Sequence, residues 1–414
     1  MKRIIFFLVT MLLPFSIAFG QIIWFSLDSG TTAHLRAIAV STDFYGVAVG
    51  DEGTLLQSQD GANWDLVDIG TELDLYAVQY VGDETFIAAG AQGIILRSTD
   101  NGSSWEIVQQ ADQEYSIYGL SIDTVSGNGL AGGSGNTIIT TNDFGMSWQF
   151  YEGGYMNSYY CAHMPDSQFG VVFGTNAIFQ GLAAYTNDGG QSFSYQPYYP
   201  TSGNIGYEGQ TIGSYFFSNT FGFTVGALWS GQGFITTEVN WDDQFWAADL
   251  MPEPLTAIHF LNDSRGAVAG SNGYIAETTD GGLSWEQVNT EAGSYNLNDI
   301  LMIGNTGYAV GEHGTILNRQ VMPGFADHTH LYKIECYPQP AKNYCRIKLP
   351  VGSAQEITLR ITDISGRQLH DVIPPYIYNV SGFFEIPTAA LPAGTYVLNG
   401  FADGMYFNTK ILVQ

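Results

Sequence analysis

A short apolar strand closing on glycine occurs seven times along this chain, and that recurrence constrains the fold more than any other feature. The copies are Gly46-Val-Ala-Val-Gly50, Phe86-Ile-Ala-Ala-Gly90, Gly129-Leu-Ala-Gly-Gly133, Gly170-Val-Val-Phe-Gly174, Gly222-Phe-Thr-Val-Gly226, Gly266-Ala-Val-Ala-Gly270 and Gly307-Tyr-Ala-Val-Gly311. Their closing glycines stand 40, 43, 41, 52, 44 and 41 residues apart. After each copy come a turn and a second apolar strand, as in Thr54-Leu-Leu-Gln-Ser58 and Ile94-Ile-Leu-Arg-Ser98. Units of about 40 residues with four short strands each must stack on one another to bury their faces, and closed into a circle they make a propeller. Composition agrees: with 50 Gly, 25 Phe, 25 Tyr, 8 Trp and only 13% charged residues, the chain suits strands and tight turns better than helices.

A second motif follows the second apolar strand. Ser98-Thr-Asp100-Asn-Gly102-Ser-Ser104-Trp105, Thr141-Asn-Asp143-Phe-Gly145-Met-Ser147-Trp148 and Thr278-Thr-Asp280-Gly-Gly282-Leu-Ser284-Trp285 are its full forms. Thr186-Asn-Asp188-Gly-Gly190-Gln-Ser192-Phe193 carries Phe for Trp, and Ser58-Gln-Asp60-Gly61-Ala-Asn-Trp64 is one residue short. The Thr237-to-Trp241 stretch has Val239 where the Asp belongs. An Asp in such a turn accepts backbone N–H groups, the Gly takes a positive φ, and the aromatic packs beneath the sheet. A catalytic or calcium role for Asp60, Asp100, Asp143, Asp188 or Asp280 is the sharper reading, but one active site does not need five copies. Trp64, Trp105, Trp148 and Trp285 read the same way, as structural pieces, and no metal or cofactor is implied.

The seventh repeat stops at Arg319 without a Trp-bearing fourth strand, and the N-terminal segment supplies one. Trp24-Phe-Ser-Leu-Asp28 leads into Leu35-Arg-Ala-Ile38 as Trp285-Glu-Gln-Val288 leads into Leu297-Asn-Asp-Ile300. Residues 22–28 are therefore expected to pair with 315–319 and close the ring. Ala309-Val-Gly-Glu-His-Gly-Thr-Ile-Leu317 and Ala48-Val-Gly-Asp-Glu-Gly-Thr-Leu-Leu56, with their Asp-box turns, resemble the seven-bladed propellers of the photosystem II assembly-factor family. The turns alone resemble bacterial neuraminidase repeats. The resemblance covers about residues 22–320 and implies a fold more than a function.

The ends of the chain read differently. Residues 1–20 look like a cleaved secretory signal: basic Lys2 and Arg3, an apolar run from Ile4 to Leu13, and Ala18-Phe19-Gly20. No later apolar stretch approaches the length of a membrane span. Residues 21–322 hold 33 acidic side chains against four arginines and no lysine, whereas 323–414 hold seven of each. The whole chain carries −27, which argues against gripping nucleic acid. Residues 323–333 read as a linker, and its His328-Thr-His330 lacks companion metal ligands. Residues 334–414 alternate apolar and polar in short runs, as a small β-sandwich does. There Tyr337-Pro338-Gln339-Pro340, Asp363-Ile-Ser-Gly366-Arg367, Leu391-Pro-Ala-Gly394-Thr-Tyr396 and Lys410-Ile-Leu-Val-Gln414 resemble the C-terminal sorting domain of the type IX secretion system of Bacteroidetes. Gln339 stands where Asn is usual. The resemblance implies export by that machinery, to the medium or to the outer-membrane surface. Cys336 and Cys345 are additions to the pattern and candidates for a disulfide; Cys161 reads as a buried small hydrophobe.

The expected fold is thus all-β, a seven-bladed β-propeller over 21–322 followed by a small C-terminal β-sandwich. In four-stranded blades the turns after strands two and four share one face, and propellers usually bind ligands there, around the channel. Asp51, Glu52, Glu312 and His313 lie in such turns, Trp229 in a longer one, and Tyr198, Tyr199 and Tyr207 in the insertion 194–214. Exposed aromatics there suit stacking on a sugar or a protein partner. A sialidase needs an arginine cluster, yet Arg36, Arg97, Arg265 and Arg319 are the only propeller arginines. A glycosidase needs two carboxylates on one face, for which Asp51, Glu52 and Glu312 qualify only by position. The reading is non-catalytic binding of a glycan or a surface protein. A polysaccharide hydrolase using Glu52 or Glu312, and a structural adhesin or spacer, are the alternatives.

Overall fold

The computed structural model describes residues 22–109, 115–151, 157–176, 181–202, 205–206, 209–239 and 245–321, then parts of 332–414. Residues 1–20, most of 323–333 (with His328 and His330), Tyr207 and Trp241 lie outside the described residues. Two compact units divide the chain, one of them Ile22–Val321.

That unit is a seven-bladed propeller. Blade 1 is typical: Leu35–Val40 pairs with Gly46–Gly50, that with Leu55–Ser58, and that with Asp65–Leu66, all antiparallel. Blades 2, 3, 4 and 6 repeat this order, starting at Leu75, Ile117, Asn157 and Leu255. The glycine that closes each second strand has a steric cause. A Cβ on Gly50 would lie 2.1 Å from the His34 carbonyl oxygen, and the same clash recurs at Gly90, Gly133, Gly174, Gly226, Gly270 and Gly311 at 1.9 to 2.2 Å. In blade 1 that carbonyl accepts the N–H of the next residue, Asp51, at 3.0 Å, so the backbones meet where a side chain would stand. The period in the sequence is therefore a record of close backbone approach.

The apolar cores lie between blades. Leu35, Ile38, Ala48, Leu56 and Trp64 of blade 1 pack with Tyr308, Val310 and Ile316 of blade 7. Each Asp-turn also braces the blade before it: a Cβ on Gly61 would strike Tyr308 of blade 7, and one on Gly102 would strike Val47 of blade 1.

The N-terminal strand Ile22–Leu27 closes blade 7, running antiparallel to Ile316–Val321 from Ile22 opposite Val321 to Leu27 opposite Ile316. Asn289–Thr290 adds a parallel fifth strand beside Ile23 and Trp24. At this seam Glu277 of blade 6 is buried, accepting Trp24 Nε1 at 2.9 Å and Arg319 Nε and Nη2 at 2.8 Å each.

Blade 5 departs from expectation. Its strands Gly209–Ser218, Phe221–Leu228, Gly233–Val239 and Phe245–Met251 are long, and Val239 continues a strand where the other repeats place an Asp-turn. Residues Tyr199–Ser202, expected in an irregular loop, instead run parallel to Phe245–Met251 as part of a six-stranded sheet. The outer strand of the long blade offers free backbone groups, and the insertion satisfies them.

The described C-terminal residues form two four-stranded sheets. One runs Tyr332–Lys333, Met405–Val413, Gly394–Ala402, Ile357–Asp363, and the other Cys336–Tyr337, Tyr344–Ile347, Phe383–Pro387, Asn379–Val380. Ala341 bridges Val413.

Candidate ligand-binding face

Every innermost strand has a register shift near its start, at its second residue in blades 1, 2, 3, 6 and 7 and at its fourth in the longer strands of blades 4 and 5. The shifted positions are Arg36, Tyr76, Tyr118, Tyr160, Ile212, Thr256 and Asn298 in blades 1 to 7. A bulge turns its side chain out of the ladder, here around the start of the innermost strands. On blades 6 and 7 the side chains serve the ring itself, Thr256 Oγ1 donating to Leu297 O at 2.7 Å and Asn298 Nδ2 to Leu35 O at 2.7 Å. On blades 1 to 4 they form a half-exposed run of different chemistry.

Tyr76 and Tyr118 stand with ring centroids 5.3 Å apart, and Tyr118 stacks on Tyr160 at 6.1 Å and 25°. Tyr160 Oη meets Thr175 Oγ1 at 3.2 Å, and Tyr76 Oη donates to Asp74 at 3.2 Å. Burial first, and then the Asp74 charge, push the Tyr76 phenol up to about 12, so it stays a neutral donor. Arg36 begins the run in a two-pronged ion pair, its Nε and Nη2 donating to Asp51 at 2.7 and 2.9 Å. The hydrogen bond to Asp51 holds the guanidinium above its ordinary value. Sequence reading missed the three tyrosines. The usable signal is the residue after the first apolar position of each innermost strand, visible only once the seven repeats are aligned.

The residues singled out from sequence are spread around this face. Asp51 is committed to Arg36. Glu52 is exposed at φ 57°, its N–H donating to Asp74 at 2.8 Å. Glu312 accepts Asn296 N and Nδ2 at 3.1 and 3.0 Å, and the backbone donor first among these lowers its carboxyl. His313, at φ 54°, packs against Tyr295 at 4.8 Å and His34 at 5.2 Å between ring centroids. Trp229 is 54% exposed in the turn after strand two of blade 5. Tyr198 is a correction: it is 1% exposed, packs edge-on against Phe173, and hydrogen-bonds Thr224 and Thr236. It is a core residue, because the strand that follows it seals the insertion against blade 5. Tyr199 lies in that strand, and its side chain is outside the described residues.

The Asp-turns use their carboxylates internally. Asp100 accepts Ser98 Oγ at 2.8 Å, Ser104 N at 2.9 Å and Ser104 Oγ at 2.6 Å. Asp143, Asp188 and Asp280 repeat the arrangement, and Asp60 does so with Asn63 in place of Ser. At Asp280 the Ser284 hydroxyl, then its N–H, hold the carboxyl down at about 2. Trp64 is buried at 7% exposure, and Trp105 Nε1 donates to Gly102 O at 3.0 Å. Trp148 and Trp285 are half-buried among the inter-blade apolar residues. Among the described residues no three His, Cys, Asp or Glu side chains gather as a metal site.

Fold and tail together define a seven-bladed propeller joined to a secretion signal carried at the C-terminus. Residues 18–149 and 238–321, more than half of the chain, match the family described as photosynthesis system II assembly factor YCF48, and the chain belongs to that family. Residues 335–414 match the secretion system C-terminal sorting domain, which implies handling by the type IX machinery, secretion and attachment at the cell surface. Among solved structures, YCF48 bound to D1 peptide is similar at 19% identity and TM-score 0.56, covering 71% of this chain and 96% of that one. YCF48 from Cyanidioschyzon merolae is similar at 16% identity and TM-score 0.56, over 71% and 98%. The RRP9 WD40 repeats reach the same score at 9% identity, over 72% and 96%, a likeness of fold alone. No curated protein matches the chain. No helix among the described residues is long and apolar enough to cross a membrane.

Proposed function

We propose that this exported propeller is a non-catalytic binding module that takes a glycan or a protein segment on the face of its inner-strand bulges. The observation that carries the reading is the run Arg36, Tyr76, Tyr118 and Tyr160 across four adjacent blades. Three half-exposed phenols and a guanidinium supply stacking surface and directed donors at little cost in side-chain freedom. Trp229 and the His34–His313–Tyr295 group add aromatic surface on the same face. A glycosidase needs two carboxylates facing one substrate. Of the three named here Asp51 is held by Arg36 and Glu312 by Asn296, which leaves Glu52 without an uncommitted companion among them. That YCF48 has been solved bound to a peptide favours a polypeptide among the ligands.

The test is binding of the purified full chain to arrays of glycans and peptides, followed by titration of the best ligand. Tyr118→Ala, at the centre of the run, is expected to weaken binding about tenfold, roughly 1.4 kcal/mol, with Tyr118→Phe close to wild type. Turnover of any glycan that Glu52→Gln or Glu312→Gln abolishes would replace this reading with the hydrolase. Silence on both arrays would replace it with the spacer.

A further inference from the structure

The described part of the sorting domain holds two cysteines whose surroundings point to a bond. Cys336 pairs with Ile347 across neighbouring antiparallel strands, and Cys345 lies two residues before Ile347. Side chains two apart share a face of the sheet, so the two thiols lie on the same side as diagonal neighbours. Both are buried, at 5% and 0% exposure. They meet in a thiol–thiol hydrogen bond, which with burial pushes the Cys345 thiol far up. The segment they bracket carries Ala341, whose N–H donates to Leu412 O at 2.7 Å and whose carbonyl accepts Gln414 N at 2.9 Å. These bonds dock the last residues of the chain.

We propose that Cys336 and Cys345 form a disulfide once the chain reaches an oxidising compartment, making a clasp that fixes the bracketed segment against the C-terminal strand. The co-reactant is a protein dithiol–disulfide oxidant. One cysteine thiolate attacks the oxidant's disulfide and expels one of its sulfurs as a thiol. The second thiolate then attacks the mixed disulfide, so the clasp forms and the oxidant leaves as a dithiol, having taken two electrons and two protons. Oxidation takes place during folding, before burial shields the sulfurs. Cys161, buried alone in the propeller, has no partner thiol among the described residues and remains reduced.

The inference rests on export, and its test separates the two. The full chain is directed to the periplasm of a host without the sorting machinery, so that the tail is retained, and is alkylated in denaturant without reductant. One label, on Cys161, is expected, rising to three after reduction, with a cross-linked peptide joining residues 336 and 345. Cys336→Ser should take two labels and Cys161→Ser none; both readouts are indifferent to whether a variant folds. Three labels on the unreduced periplasmic chain would overturn the proposal. Refolding the reduced, denatured chain in oxidised and reduced glutathione tests the bond irrespective of location: closure between 336 and 345 supports the clasp, and a refolded chain that keeps both thiols free refutes it. In the oxidised chain, hydrogen exchange at the Ala341 and Gln414 amides should be slower than after reduction.

Discussion

Two kinds of carboxylate, shifted in opposite directions, contribute to how this propeller responds to pH. Asp280 and its four counterparts sit in turns whose hydroxyl and amide donors favour the charged form, and Asp280 is held at about 2. Asp299, on the innermost strand of blade 7, is half-buried, and loss of hydration pushes it up to about 7 although it accepts Ile38 N and Ile300 N. The signs are opposite. Between pH ~2 and ~4 the unfolded chain binds more protons at Asp280, so stability rises with pH there; between ~4 and ~7 the folded chain keeps the Asp299 proton longer, so the contribution of Asp299 falls. His163 and His259 act against Asp299 over the same range. Loss of hydration holds them down at about 4 and about 3, so below pH ~6.5 the unfolded chain binds more protons at both. Stability should therefore climb to a maximum near pH ~6 to 7. Thermal melts from pH 3 to 8 check this, and Asp299→Asn should steepen the rise between pH ~4 and ~6.5 by removing the opposing contribution, while leaving the limb below pH ~4. An unchanged slope between pH ~4 and ~6.5 would mean that Asp299 is already charged there in the fold. The Asp-turns were legible from sequence because their chemistry is local, each donor within four residues of its acceptor. Asp299 was not, because its partner Ile38 is 261 residues away, across the ring closure.

At the scale of the strand, the repeat period exposed whatever all blades share and hid whatever they do not. The closing glycines, the apolar second strands and the Asp-turns recur, so they could be read. The run of half-exposed tyrosines could not: the bulge position is occupied by Arg36, Tyr76, Tyr118, Tyr160, Ile212, Thr256 and Asn298, and no period marks a position whose residue changes from blade to blade. The insertion before blade 5 misled for a different reason. Tyrosines in a long Gly-rich segment look like an exposed loop, yet an unpaired edge strand nearby supplies a ladder that local sequence does not show. Tyr198 is the discriminating residue. Its hydroxyl is buried with those of Thr224 and Thr236, which also hydrogen-bond each other at 2.6 Å. Tyr198→Phe should cost about 1 kcal/mol of stability, since the two threonines retain a partner. Its ligand affinity should equal that of wild type, whereas Tyr118→Ala should show the reverse pattern; a loss of affinity in Tyr198→Phe would return this residue to the binding face.

For the molecule as a whole, the ring is completed by one strand from the far end of the chain, and the buried group Glu277–Arg319–Trp24 stands where that strand enters. Arg319 is 2% exposed and Glu277 6%, and their two-pronged pairing is supplemented by Arg319 Nη1 donating to Asn305 O at 3.1 Å. Two charges taken out of water offset much of their own attraction, so the pair need not add net stability over an apolar pair of equal size. Removing one partner is another matter, because it leaves the other charged, buried and unmatched. Arg319→Met should therefore cost about 3 to 5 kcal/mol, and Glu277→Leu a similar amount, whereas the double replacement should recover most of the loss. Denaturant unfolding of the four proteins closes the cycle. Trp24 reports on the same event: its indole donates to Glu277, so Arg319→Met should shift Trp24 fluorescence even before unfolding. If the single replacements proved additive, Glu277 would be solvated rather than sealed, and the N-terminal strand would be an edge that frays. If they couple as expected, the closing strand is held by a buried charge pair and unfolds with the ring as one cooperative unit. Truncation at Leu27 should then abolish the cooperative transition rather than lower its midpoint.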